Sequence, residues 1–310
     1  MNYDQITSNI KEKTNSIKEY ITDKYDANLF SNPVIKEIAY PLDENIIKGL
    51  KFVYIDKILK KPVEKMIAFN YGAIIANSIV VNEKNFPEIN DSLKECCNFL
   101  KIEAPYTVIE SHIGMDAKTL GTNEQCYVLL SNMLSQFLDS AQLKFTIAHE
   151  CGHIAMGHLV FHTALQFGVS AGKYIPVVGS KVSEYGNYPF WAWQRCCDFT
   201  ADRIGLLCCR DLKAAKTALI KTVGGFKNIE YIDVDNYVSN AEQILKKLNL
   251  GKIQEFKQPN PLIFKRIKAL DLFYNSELYY SALKIFPPRN IRLLTAEELN
   301  IKTKNLISIF

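Results

Sequence analysis

The string His149-Glu150-Cys151-Gly152-His153 constrains this chain more than any other. On an α-helix, positions i and i+4 lie on one face about a turn apart, so two imidazoles at that spacing reach a single metal ion. Glu150 falls on the adjacent strip, where a carboxylate can take a proton from a water activated by the metal. The string therefore demands a helix, a third donor and groups that orient the rings. The helix is predicted from Asp139 or Ser140 as N-cap, through Leu143, Ile147, Cys151, Ile154 and Ala155 at the helical period, with no proline from Ser140 to about Val160. Gly152 and Gly157 each cost about 1 kcal/mol in a helix interior. The bare backbone at Gly152 leaves room for a second backbone to come close.

Catalytic zinc takes three protein ligands and one water. The best source of the third is Gln194-Arg195-Cys196-Cys197-Asp198-Phe199-Thr200-Ala201-Asp202, in a run after Pro189 that reads as a helix from Phe190 to Cys208. Asp198 and Asp202 share one face at i, i+4. One carboxylate can bind the metal while the other accepts the Nδ1 proton of a ligand histidine.

These residues resemble the HtpX-like zinc metallopeptidases, a group that includes the CAAX prenyl endopeptidases. That family carries H-E-x-G-H and then a helix of the form S-R-x-x-E-x-x-A-D. Here the two read H-E-C-G-H and Q-R-C-C-D-F-T-A-D, with Arg195, Ala201 and Asp202 on the pattern and Asp198 where the family has Glu. Ala104 to Ile109 is similar to the family's strand before the active site, and Tyr127 to Leu130 to its edge strand. Asn260 to Arg266 is similar to its H-P-x-x-x-x-R segment, with Asn260 in the place of His. The likeness covers roughly residues 86–275. It implies one Zn2+ held by His149, His153 and Asp198, Glu150 as general base, and Asp202 orienting the His149 ring. It also implies Arg266 and Asn260 as stabilisers of the oxyanion, and a peptide or protein substrate paired as an extended strand against segment 125–131.

Composition narrows the class. A chain of 310 residues with 48% hydrophobic and 23% charged residues is ordinary globular material. A net charge of +4 without a basic stripe argues against nucleic acid. Eight cysteines, six of them in adjacent pairs and none as C-x-x-C, read as reduced, mostly buried side chains of a cytoplasmic protein. His112, His158 and His162 sit at no spacing that improves on the ligand set, and His158, on a different helix face from His153, reads as structural. The N-terminus shows no secretory pattern. The longest apolar stretch, Ile67 to Val81, is broken by Asn70, Asn77 and Ser78 and is too short to span a bilayer. Peripheral membrane contact is left open.

The expected architecture is α+β, mostly helical and zincin-like, with a small sheet whose edge strand borders the zinc cleft. It divides into an N-terminal helical segment (1–85), a metallopeptidase domain (86–275) and a C-terminal tail packing on the core (276–310). Residues 3–24 form an amphipathic helix, and Asp43 caps another from Glu44 to about Leu59, ended before Pro62. Asp211 starts a helix closed by Gly224-Gly225, and Thr295-Ala296-Glu297-Glu298 caps the last one. The expected function is a soluble zinc endopeptidase. The alternative is a catalytically silent or regulatory zinc-binding module, against which Glu150 counts, because a structural site needs no base.

Overall fold

The computed structural model describes residues 33–52, 55–111, 113–122, 125–166, 188–248 and 260–306. The helix expected over residues 3–24 lies outside them, as does His112. In chain order the elements are helices α1 (Pro33–Ile38), α2 (Pro41–Phe52) and α3 (Ile55–Ala76), strand β1 (Ile79–Val80) and helix α4 (Pro87–Leu100). Strands β2 (Tyr106–Glu110), β3 (Ala117–Gly121) and β4 (Cys126–Ser131) follow, then helices α5 (Asn132–Phe137), α6 (Ser140–Ala155), α7 (Leu159–Gln166) and α8 (Tyr188–Cys209). The chain closes with α9 (Leu212–Gly224), α10 (Val234–Leu248), α11 (Ile263–Tyr274), α12 (Glu277–Leu283) and α13 (Ala296–Leu306). This is the predicted α+β class: helices around one small mixed sheet.

Helix α6 begins where its sequence says. Asp139 accepts from the Gln142 amide at 2.9 Å while the Gln142 side chain accepts from the Asp139 amide, a closed capping box. It ends earlier than the proline-free run suggested. Gly157 adopts φ 70°, its amide bonds the Ile154 carbonyl at 2.9 Å, and the His158 amide bonds the His153 carbonyl at 3.0 Å. That pair of bonds is a Schellman terminator, in which glycine takes the left-handed position without a Cβ penalty. Gly157 is thus a stop signal, and it turns the chain back over the last turn of α6.

Helix α8 packs along α6, and two glycines set how closely. A Cβ on Gly152 would stand 3.3 Å from the Ala201 Cα, and one on Gly205 would stand 2.8 Å from the Phe145 ring. The room foreseen at Gly152 is therefore filled by the backbone of α8, which brings Asp198 and Asp202 over the histidines.

The sheet order is β1-β2-β4-β3, with β2 parallel to β4 and β3 antiparallel to it. Segment 125–131 is consequently not the edge. β4 is hydrogen-bonded on both sides, and β3 is the strand beside α6. The physical reason lies in the run Tyr127-Val128-Leu129-Leu130: a continuous apolar strand belongs where both faces are covered. Val128 and Leu130 face the main core, whereas Leu129, Val108 and Leu120 meet Leu59, Val63 and Ile67 of α3 and Phe161 of α7.

Two expectations about the N-terminal helices need correction. Pro62 does not stop a helix but lies inside α3, where burial of Leu59, Val63 and Ile67 outweighs the one lost backbone bond. Asp43 is no cap; it lies in the first turn of α2 with its carboxylate directed inward, wholly buried. By contrast, Asp211 caps α9 through the Ala214 amide, and Thr295 and Glu298 form the reciprocal bonds that open α13.

Candidate metal centre

His149 and His153 rise from the last turns of α6 with their Nε2 atoms 3.2 Å apart. Asp198 of α8 completes the group: its Oδ1 stands 3.6 Å from His153 Nε2. One donor atom from each of the three lies within 4.8 Å of the others. All three side chains are largely out of water. Burial pushes the Asp198 carboxyl up to about 7, against the opposing pull of Arg266 and His149. Burial and the surrounding imidazoles hold His153 well below its usual range, and hence neutral. Two lone pairs and an under-compensated carboxylate converging in a dry pocket are a donor set that fits a zinc ion.

Each ring is fixed from behind. His149 Nδ1 stands 2.9 Å from Asp202 Oδ1. Asp202 in turn accepts from Arg266 Nε at 2.8 Å and Nη2 at 2.6 Å, a two-pronged pair between α8 and α11. Burial would raise the Asp202 carboxyl, but the Arg266 guanidinium and these bonds hold it below the carboxylate range. Burial likewise opposes charge on His149, and Asp202 outweighs it, raising the imidazole. Arg266 Nη2 also lies 3.3 Å from His149 Nδ1, but the shorter contact assigns the ring proton to Asp202.

Glu150 points to the other side, where the Thr119 hydroxyl of β3 donates to its Oε2. Burial pushes the Glu150 carboxyl above its ordinary range despite His149 and Thr119, the direction that suits a group taking up a proton during a reaction. Asp116, just before β3, is also raised by burial. Asn260 is exposed, and among the described residues no bond joins it to this group.

Sequence reasoning missed His158, His162 and Asp43. The His158 and His162 rings pack against His153 with centroids 5.2 and 4.7 Å away, beneath Trp193. His153 Nδ1 lies 3.0 Å from His158 Nδ1, and His158 Nε2 lies 3.1 Å from Asp43 Oδ1. Burial would raise Asp43, but His158, Thr200 and Cys197 outweigh it and hold the carboxyl below its usual value. The available signal was Gly157, since a Schellman turn lays the second residue past the helix onto its last turn.

Among known families, the chain matches the one described as peptidase family M48 over residues 83–273. It is similar to the plastoglobule-localized metallopeptidase 48, chloroplastic, of Arabidopsis thaliana, with 26% identity over 218 residues. That alignment takes 68% of this chain and 63% of the relative, so the chain spans less than two thirds of that protein's length. No solved structure matches.

Proposed function

The chain belongs to peptidase family M48, and from that membership we propose that it is a zinc-dependent endopeptidase whose centre is held by His149, His153 and Asp198. The observation that carries the reading is the buried Glu150 carboxyl, raised in pKa and steadied by Thr119 on an adjoining edge strand. A site built only to hold metal has no use for such a group. When bound, zinc supplies a Lewis acid that acidifies water and polarises a peptide carbonyl. Glu150 takes the proton from that water and passes it to the departing amine. Asp202 keeps the His149 ring in the tautomer whose Nε2 is free to ligate, and Arg266 keeps Asp202 charged. The Nη1 end of Arg266 and Asn260 remain the proposed donors to the oxygen that gains charge, although two nitrogens of that guanidinium are engaged with Asp202.

The substrate would be a peptide or protein segment laid in extended form along the outer edge of β3, the strand that carries Thr119. Eight free thiols support a reducing compartment, and with it a cytoplasmic place for the protein. Among the described residues no helix is long and apolar enough to cross a membrane. Purified protein is expected to carry one zinc per chain and to cleave members of a peptide library. Glu150→Gln should keep the zinc and lose activity by about 10²–10⁴-fold. Full activity in that variant would overturn Glu150 as the base, and a wild type that binds zinc but cleaves no peptide would favour the metal-binding module instead.

A further inference from the structure

Behind the proposed ligand His153 lies a buried line of polar side chains that the peptidase reading does not use. We propose that His158 and Asp43 are positioning residues, forming a hydrogen-bonded relay His153–His158–Asp43 that fixes the tautomer of His153 for zinc. The inference rests on His153 being a zinc ligand through Nε2, the nitrogen that faces His149 and Asp198. With Nε2 so committed, the ring's proton must sit on Nδ1, whose neighbour is His158 Nδ1 at 3.0 Å. An N–H donating to Nδ1 of His158 requires a lone pair there, so the His158 proton is on Nε2. That atom lies 3.1 Å from Asp43 Oδ1, with its N–H off the line to the oxygen. The contact is a charge-directed one between a buried imidazole and a buried carboxylate.

Each link has one sense only. Asp43 can only accept, so the donors run outward from zinc to carboxylate: His153 to His158, His158 to Asp43. The two metal-facing histidines are then backed in matching fashion. His149 reaches its carboxylate directly, through Asp202. His153 reaches one through an intervening imidazole, because α6 stops at Gly157 and the chain returns with His158 against it.

The same residues could be read as a second metal site, since Asp43, His158 and Cys197 offer donor atoms within 4.8 Å of one another. The hydrogen bonds argue otherwise. Trp193 Nε1 donates to Asp43 Oδ1 at 3.1 Å and Cys197 Sγ donates to the same oxygen at 3.3 Å. An oxygen that already accepts from two donors and faces a third nitrogen reads as a terminus for protons, and the metal alternative is an outcome of the test below. His162, stacked on His158 with an interplanar angle of 20°, walls the relay from the side.

The test uses the full chain and measures zinc affinity by competition with a chromophoric chelator, alongside zinc content. His153→Ala should lose tight binding; if it does not, the ligand assignment itself falls. His158→Phe should weaken zinc binding by about 10–100-fold. His158→Gln, whose Oε1 and Nε2 can stand in for the two ring nitrogens, should recover most of that loss. Adding Asp43→Asn to His158→Phe should cost nothing further, because the line is already cut. Wild-type affinity in His158→Phe, with His153→Ala still defective, would overturn the relay and leave the peptidase reading intact. Two zinc ions per chain, one of them lost in His158→Phe, would overturn it in favour of a metal site. Nitrogen-15 NMR of the zinc-loaded wild type needs no variant: a proton on Nε2 of His158 is expected, and one on Nδ1 would refute the proposal.

Discussion

At the residue scale, buried charge decides how the site behaves without metal. Asp198 titrates near 7 in the folded chain, raised by burial from 3.8. Between those values the folded state binds a proton that the unfolded state does not, so this group's contribution to stability falls as pH rises. Metal-free Asp198→Asn is therefore expected to be more stable than metal-free wild type at pH 8, with a gap that narrows by pH 5 and closes only below the unfolded value of 3.8. Saturating zinc should reverse that order at pH 8, because only the wild type gains the full binding energy. Thermal melts at both pH values, with and without chelator, check both signs, and a wild type that is the more stable in chelator at pH 8 would contradict the account. Arg266 presents the opposite case. Its removal in Arg266→Ala leaves the buried Asp202 charge uncompensated, which generally costs about 3–5 kcal/mol. Arg266→Lys should restore only part of this, because an ammonium cannot reproduce the two-pronged bond. Urea denaturation of the three proteins gives the ranking.

At the element scale, features carried by adjacent residues were legible and those settled by distant partners were not. Asp139, Asp211 and Thr295 cap helices as their sequences announce, since a cap is decided within four residues. The crossing of α6 and α8 could also be read, because paired motifs on two helices demand it. The β4-to-β3 pairing could not, as strand order depends on contacts that no local pattern encodes; only the unbroken apolar run hinted at a central strand. Pro62 misled for the same reason, since α3 is held by the sheet it covers. The relay was hidden by treating Gly157 as a weak helix interior instead of a terminator, which set His158 on the wrong face. The glycine seam between α6 and α8 supplies a test at this scale. A Cβ on Gly205 would meet the Phe145 ring at 2.8 Å and its carbonyl oxygen at 3.0 Å, and a backbone atom cannot swing aside. Gly205→Val should destabilise by about 1–3 kcal/mol through overpacking, in spite of leaving glycine's poor helix propensity behind. It should also weaken zinc binding, because α8 carries Asp198. Chemical denaturation and chelator competition would register both losses, and wild-type values would show that the seam is slack.

At the scale of the whole molecule, the match to the family begins at residue 83, yet side chains ahead of it finish the interior. Ile35, Ile38 and Ala39 belong to the main core, and Leu59, Val63 and Ile67 cover one face of the sheet. Polar ties run the same way: the Arg203 guanidinium donates to the Ile38 carbonyl at 2.8 Å, and the Tyr40 amide donates to the Thr200 hydroxyl at 3.1 Å. Both partners sit on α8, Thr200 midway between Asp198 and Asp202 and Arg203 next to Asp202. A chain starting at residue 83 would bare Val108, Leu120 and Leu129 and strand His158, Trp193 and Cys197 without Asp43. Each large apolar side chain so exposed forfeits about 1.5–3 kcal/mol, and a few of them equal the whole stability of a typical domain, about 5–15 kcal/mol. The truncated chain is therefore expected to be aggregated or unfolded by circular dichroism and to bind zinc no better than an unfolded peptide. A soluble, cooperatively melting fragment with wild-type zinc affinity would mean that the family-matched region is self-sufficient. It would also deny Asp43 any part in holding the metal, so the one preparation tests the packing of the N-terminal helices and the far end of the relay together.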